Sequence, residues 1–184
     1  STGNGAYTDP VQIKTSAISL NTNDQSPYSH PVYEASPLNR VLEQYGPGAD
    51  WHTNKKAVRT AYMTNVFKKT SSTTAADTLV CGLFRSTDAG QSISISRTDS
   101  YNTGELYVTR MEDEDGNVSF EFKDKLGQVL LTRQVSEGKF YDTNYVYDNF
   151  GNLRVVIPPM LSDMVSGSSN WTDSNAHFMQ CLHV

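Results

Sequence analysis

From Thr60 to Ile157 the apolar positions come in short runs divided by polar turn residues, a spacing that predicts strands. The runs are 60–67, 78–84, 91–96, 105–111, 118–123, 128–135, 140–147 and 152–157. A Ser/Thr stretch at 70–74 parts the first two, and 91–96 alternates apolar with polar as a half-buried strand does. The later runs are each reached from the one before through a Gly or Asp turn, so the expected fold is all-β, an antiparallel meander of successive hairpins. Upstream, 11–14 and 17–20 read as two short strands inside a polar lead-in, 1–27. Residues 28–70 form an atypical region. Pro27, Pro31 and Pro37 favour an extended path there, and Gly46-Pro47-Gly48 breaks the chain before Trp51. The repeat-like sheet is expected over 71–159. Beyond it, in a divergent tail over 160–184, Pro159 opens a short helix towards Val165 that stops near Gly167. A second helix runs from Thr172 or Asp173 to Leu182.

One turn unit recurs. It reads Asp113-Glu114-Asp115-Gly116-Asn117-Val118, then Asp124-Lys125-Leu126-Gly127-Gln128-Val129, then Asp148-Asn149-Phe150-Gly151-Asn152-Leu153. An Asp side chain accepts from backbone N–H groups two residues on, Gly takes a left-handed position, and the apolar residue starts the returning strand. Ser36-Pro37-Leu38-Asn39-Arg40-Val41 is a degenerate fourth copy, with Ser as the acceptor and Asn as the left-handed residue. The turn-forming residues are therefore Asp113, Gly116, Asp124, Gly127, Asp148, Gly151, Ser36 and Asn39.

The third copy follows Tyr145-Val146-Tyr147, and Y-x-Y-D-x-x-G-N-L resembles the tyrosine-aspartate (YD) repeat of the Rhs and teneurin proteins. Glu34 to Val41, with Gly46-Pro47-Gly48 and Trp51-His52, resembles the region just ahead of the repeats in Rhs-type proteins of Bacteroidetes. So does Asp124 to Gly127 with Val129 to Arg133. The resembling pieces cover roughly 28–160. The resemblance implies a non-catalytic segment that starts or caps a long β-sheet shell, in a large protein that is secreted or held at the bacterial surface. In relatives that shell encloses a C-terminal toxin. Its partner is then the rest of its own polypeptide, further YD repeats and a toxin domain. Residues 28–70 read as its atypical end unit, since a terminal unit must differ from those it caps.

Composition narrows the chemistry. Ten tyrosines and seven phenylalanines suit strands. The net charge is −5, the basic residues gather only at 55–59 and 68–69, and no face suits a phosphate backbone, so nucleic acid is not an expected partner. Apolar stretches of about five residues are too short for a membrane-spanning helix. Ser1 to Gly5 reads as a cut inside a larger polypeptide or as an engineered edge. Cys81 and Cys181 leave two alternatives open, one disulfide or two separate thiols. No Gly-x-Ser-x-Gly elbow, nucleophile flank or phosphate loop occurs, so no catalytic residue is assigned and no cofactor is expected.

Asp113, Asp115, Asn117 and Asp124 fall at ligand positions of an EF-hand-like loop. Val118 stands where that loop needs Gly, and Asp124 replaces the bidentate Glu, so a hairpin turn is the better reading. His30, His52, His177 and His183 lack metal-ligand spacing, and no metal is expected. Aromatic residues offer the alternative function, a carbohydrate-binding surface module. Tyr145 and Tyr147 share a strand face, with Tyr107 and Tyr141 expected on neighbouring strands. Such a row stacks on sugar rings or on itself to hold the sheet. Trp51, with Tyr45 and His52, is either a sugar contact on the Gly-Pro loop or a plug at the end of the β core.

Overall fold

The computed structural model describes residues 9–68, 78–89, 92–165 and 170–171. The chain divides into two compact units, Ser1–Thr60 with Glu112–Gly116, and Ala61–Met111 with Asn117–Val184.

The first unit opens with helix α1, Pro10–Leu20, where two strands were expected. Capping chemistry decides the matter. The Asp9 carboxylate accepts from the Val11 N–H at 3.0 Å, and Pro10 stands at the first helical position, where its missing N–H costs nothing. None of its residues is buried, so no sheet draws this segment into extended pairing. Strands β1, His30–Tyr33, and β2, Val41–Tyr45, make an antiparallel hairpin, and β2 pairs with the start of β3, Ala57–Thr64. Pro31 is tolerated because β1 closes the order on that side among the described residues. Between β2 and β3, the short helix α2, Ala49–Thr53, carries Trp51, so that residue stands on a helical turn.

The second unit holds two sheets. From Ala61 onward β3 leads the order β3-β6-β7-β8-β9-β10, built with β6 Tyr107–Glu112, β7 Val118–Lys123, β8 Val129–Ser136, β9 Lys139–Tyr147 and β10 Leu153–Ile157. The expected meander is real from β6 to β10. It is interrupted between β3 and β6, because β4, Gly82–Ala89, and β5, Ser92–Ser100, leave to form a second sheet with β11, Asn170–Trp171. The run expected at 78–84 is displaced along the chain. Leu79 sits in a turn, and pairing begins at Gly82. Helix α3, Pro159–Val165, forms where Pro159 predicted it. The second tail helix, with Cys181, His177 and His183, lies outside the described residues.

Alternation places the core. Phe120 and Phe122 on β7, Leu131 on β8, Val146 on β9, and Val155 and Ile157 on β10 are buried at every second position. They gather in two clusters. One joins Ile95 of β5 and Leu161 of α3 to Val146, Val155 and Ile157; the other joins Cys81, Leu106 and Val108 to the phenylalanines and Leu131. Two buried polar groups are fully engaged. Asn65 donates to the Tyr101 and Asn102 carbonyls and accepts from the Leu106 N–H, which pins the end of β3 to that loop. Arg133 makes a two-pronged bond to Asp142, its cross-strand neighbour, at 2.7 and 2.6 Å. It also donates to the Thr78 carbonyl and lies over the Phe140 ring.

Candidate functional site

The turns repeat atom for atom. Asp124 Oδ1 accepts from the N–H groups of Leu126 and Gln128, and Asp148 Oδ1 from those of Phe150 and Asn152. In each, the Gly N–H returns to the Asp carbonyl, and the Asp N–H bonds the carbonyl of the residue after Gly. Gly127 and Gly151 stand at φ 86° and 84°. The strands then slip at the same place, with Leu130 and Arg154 each pushed out as a bulge. Hydrogen bonds from Asn152 hold the Asp148 carboxyl below the usual carboxylate range.

Asp113 makes the simpler form, accepting from Asp115 N–H while Gly116 stands at φ 85°. Two carboxylates of its acidic run have cations beside them. Lys56 lies 3.2 Å from Asp115, and Arg59 bridges Glu112 and Glu43. Among the described residues no group of three or more His, Cys, Asp or Glu side chains is arranged to hold a metal ion.

Ser36 carries the same chemistry in the first unit. Its Oγ accepts from Leu38 N–H, Asn39 stands at φ 53°, and Leu42 is bulged from the returning strand. The loop is longer because Glu34 and Ala35 precede the serine. Glu34 closes it, accepting from the Ser36 hydroxyl at 2.6 Å and from the Arg40 guanidinium at 2.9 and 2.8 Å. The hydrogen bond from Arg40 is the main reason that the Glu34 carboxyl is pulled down to about 2.

Successive turns are also joined. The Gln128 side-chain amide donates to the Gly151 carbonyl at 3.1 Å, reaching from one Asp turn to the next. Asn152 holds the equivalent place one repeat later; its shorter side chain folds back onto Asp148. The pattern Asp-x-x-Gly-Gln/Asn was legible in the chain, but the reach of a longer amide across two strands is a fact of the folded sheet.

The aromatic residues do not make one platform. Tyr107 opens β6, whereas Tyr141, Tyr145 and Tyr147 all belong to β9, with β7 and β8 in between. The neighbouring-strand expectation fails for that reason. Tyr107 and Tyr141 are exposed. Tyr145 and Tyr147 are half-buried and line a cavity with Asp148 and Asn149, and the Tyr147 hydroxyl donates to the Val129 carbonyl at 3.1 Å.

In the first unit Tyr45 stacks on His52, with ring centroids 5.1 Å apart, and His30 joins them at 5.9 Å from His52. Composition gave no hint of His30; the cross-strand pairing of His30 with Tyr45 brings it in. The Tyr45 hydroxyl donates to Glu43, and that bond raises its pKa. Trp51 stays out of the stack and lies against the Gly46 and Gly48 backbone, 37% exposed. Cys81 is a free, buried thiol that burial pushes up to about 12.

The family model described as Domain of unknown function (DUF6443) matches residues 1–64, from the start of the chain to the end of β3. No curated protein and no solved structure is significantly similar to the chain.

Proposed function

We propose that this chain is a non-catalytic building segment of a large Rhs-type YD-repeat protein, secreted or displayed at a bacterial surface. It starts a β-sheet shell of the kind that encloses a C-terminal toxin in such proteins. The observation that carries this reading is the Gln128–Gly151 bond between two equivalent turns. A side chain used to join one turn to the next makes sense in a sheet that grows by adding the same hairpin. The degenerate Ser36 turn, with its extra residues and its own salt bridge, suits a unit that begins such a sheet instead of continuing it. Strand β10 suits it too, since among the described residues it ends its sheet and offers a further edge. In this reading Asp124, Asp148, Gly127 and Gly151 serve the repeat and not a substrate.

The test is the reading frame that follows the codon of Val184 in the source DNA. Continued Y-x-Y-D-x-x-G units followed by a variable tail support the proposal. A stop codon at that point defeats it.

A further inference from the structure

A cavity of about 420 Å³ opens between strand β4, along Gly82 to Thr87, and the segment from Tyr145 to Asn149. That volume lies within the roughly 300–1,000 Å³ of small-molecule sites. β4 already packs close against β9, so the side chains around the opening, and not a free strand edge, decide what can enter.

Charge is balanced there. The Asp148 carboxylate is spent in its own turn, with Arg154 4.0 Å away, and Arg85 offsets Asp124. Two carboxylates are met by two guanidiniums, and neither a cation nor an anion finds an excess of opposite charge. Hydrogen-bonding capacity is not exhausted. The Tyr147 hydroxyl serves Val129 and the Gln128 amide serves Gly151. The hydroxyls of Ser86, Tyr101 and Tyr145, the Asn149 amide and the Arg85 guanidinium make no hydrogen bond among the described residues. Together they offer donors and acceptors on one cavity. Burial pushes the Tyr101 hydroxyl up to about 12, so it keeps its proton and can donate. Tyr145 and Tyr147 stand two apart on β9 and so share a face. An apolar ligand would leave the polar groups unpaired. A small ion would leave the rings unused. A pyranose ring answers both, because each hydroxyl donates and accepts while its C–H face packs on an aromatic ring.

We propose that this cavity binds a neutral sugar, one pyranose unit of a glycan. Tyr145 and Tyr147 lie against its ring face, and Arg85, Asn149 and Tyr101 read its hydroxyls. The two tyrosines then divide the work that their spacing suggested. Tyr147 holds the sheet through Val129, and Tyr145 keeps its hydroxyl for the ligand. The inference does not rest on the shell reading, because one wall of the cavity is β4 of the three-stranded sheet; a stop codon after Val184 would leave it standing.

The experiment is isothermal titration calorimetry of the whole chain against four neutral tetrasaccharides: cellotetraose, chitotetraose, maltotetraose and mannotetraose. Saturable binding of at least one is expected. Arg85 and Asn149 are exposed, so their variants should fold. Arg85→Ala should weaken binding about tenfold and Asn149→Ala about fivefold, whereas Trp51→Ala, in the first unit, should leave it unchanged. Silence across the four sugars overturns the proposal. Binding that survives both Arg85→Ala and Asn149→Ala overturns it too, as does binding lost only in Trp51→Ala, which would put the glycan on the first unit. Binding of trigalacturonic acid while the neutral sugars stay silent would show the charge balance to be misread and would overturn it as well.

Discussion

Replacing Gly151 with alanine separates the two things that this residue does. Gly127 and Gly151 have the same backbone conformation, at φ 86° and 84°. A Cβ at Gly127 meets nothing within 4 Å, while one at Gly151 lies 2.9 Å from the Gln128 side-chain nitrogen. Gly127→Ala therefore reports left-handed strain alone, about 1–2 kcal/mol. Gly151→Ala carries that strain and also displaces the Gln128 amide from the Gly151 carbonyl, adding about 1 kcal/mol for the lost hydrogen bond. The assay is urea unfolding followed by circular dichroism, comparing midpoints at constant slope. In a Gln128→Ala background the additional cost should vanish, and Gly151→Ala should then cost what Gly127→Ala costs. An equal loss for Gly151→Ala in both backgrounds would refute the claim that Gln128 ties the turns together.

Three further outcomes are expected. Asp142→Ala leaves the Arg133 guanidinium, 7% exposed, without its carboxylate and should cost about 3 kcal/mol in urea unfolding; Arg133→Met with Asp142→Leu should recover most of that. Glu34 titrates at about 2 in the fold against an ordinary 4.5, so its contribution is fully present above about 4.5 and is lost as pH falls towards 2. Carboxyl chemical shifts followed by NMR should show this, and Arg40→Met should move Glu34 back up towards the ordinary range, with the Ser36 hydroxyl still holding it down. In a Cys181→Ser variant, Cys81 should resist a thiol reagent at pH 8 until the chain is denatured, because the buried thiol ionises only near 12. Rapid native labelling would contradict its burial.

The strands from β6 to β10 and their turns were legible in the chain because their information is local. An Asp, a Gly and an alternating run specify a hairpin within a few residues, and α3 was legible at Pro159 for the same reason. Helix α1 was misread. Its β-branched residues carry a weak preference that the Asp9-Pro10 cap overrides, and that signal stood in the chain unused. The departure of β4 and β5 to a second sheet could not be read, because strand order is settled by which faces are buried together, and Ile95 finds its neighbours on β9, β10 and α3. The same limit applies to every contact that joins distant residues. Local chemistry wrote the hairpins, the bulges and the all-β class. Pairing over long separations, through packing and hydrogen bonds made only in the folded sheet, set the Gln128 bridge, the Arg133–Asp142 pair, the His30–Tyr45–His52 stack and the cavity beside β4.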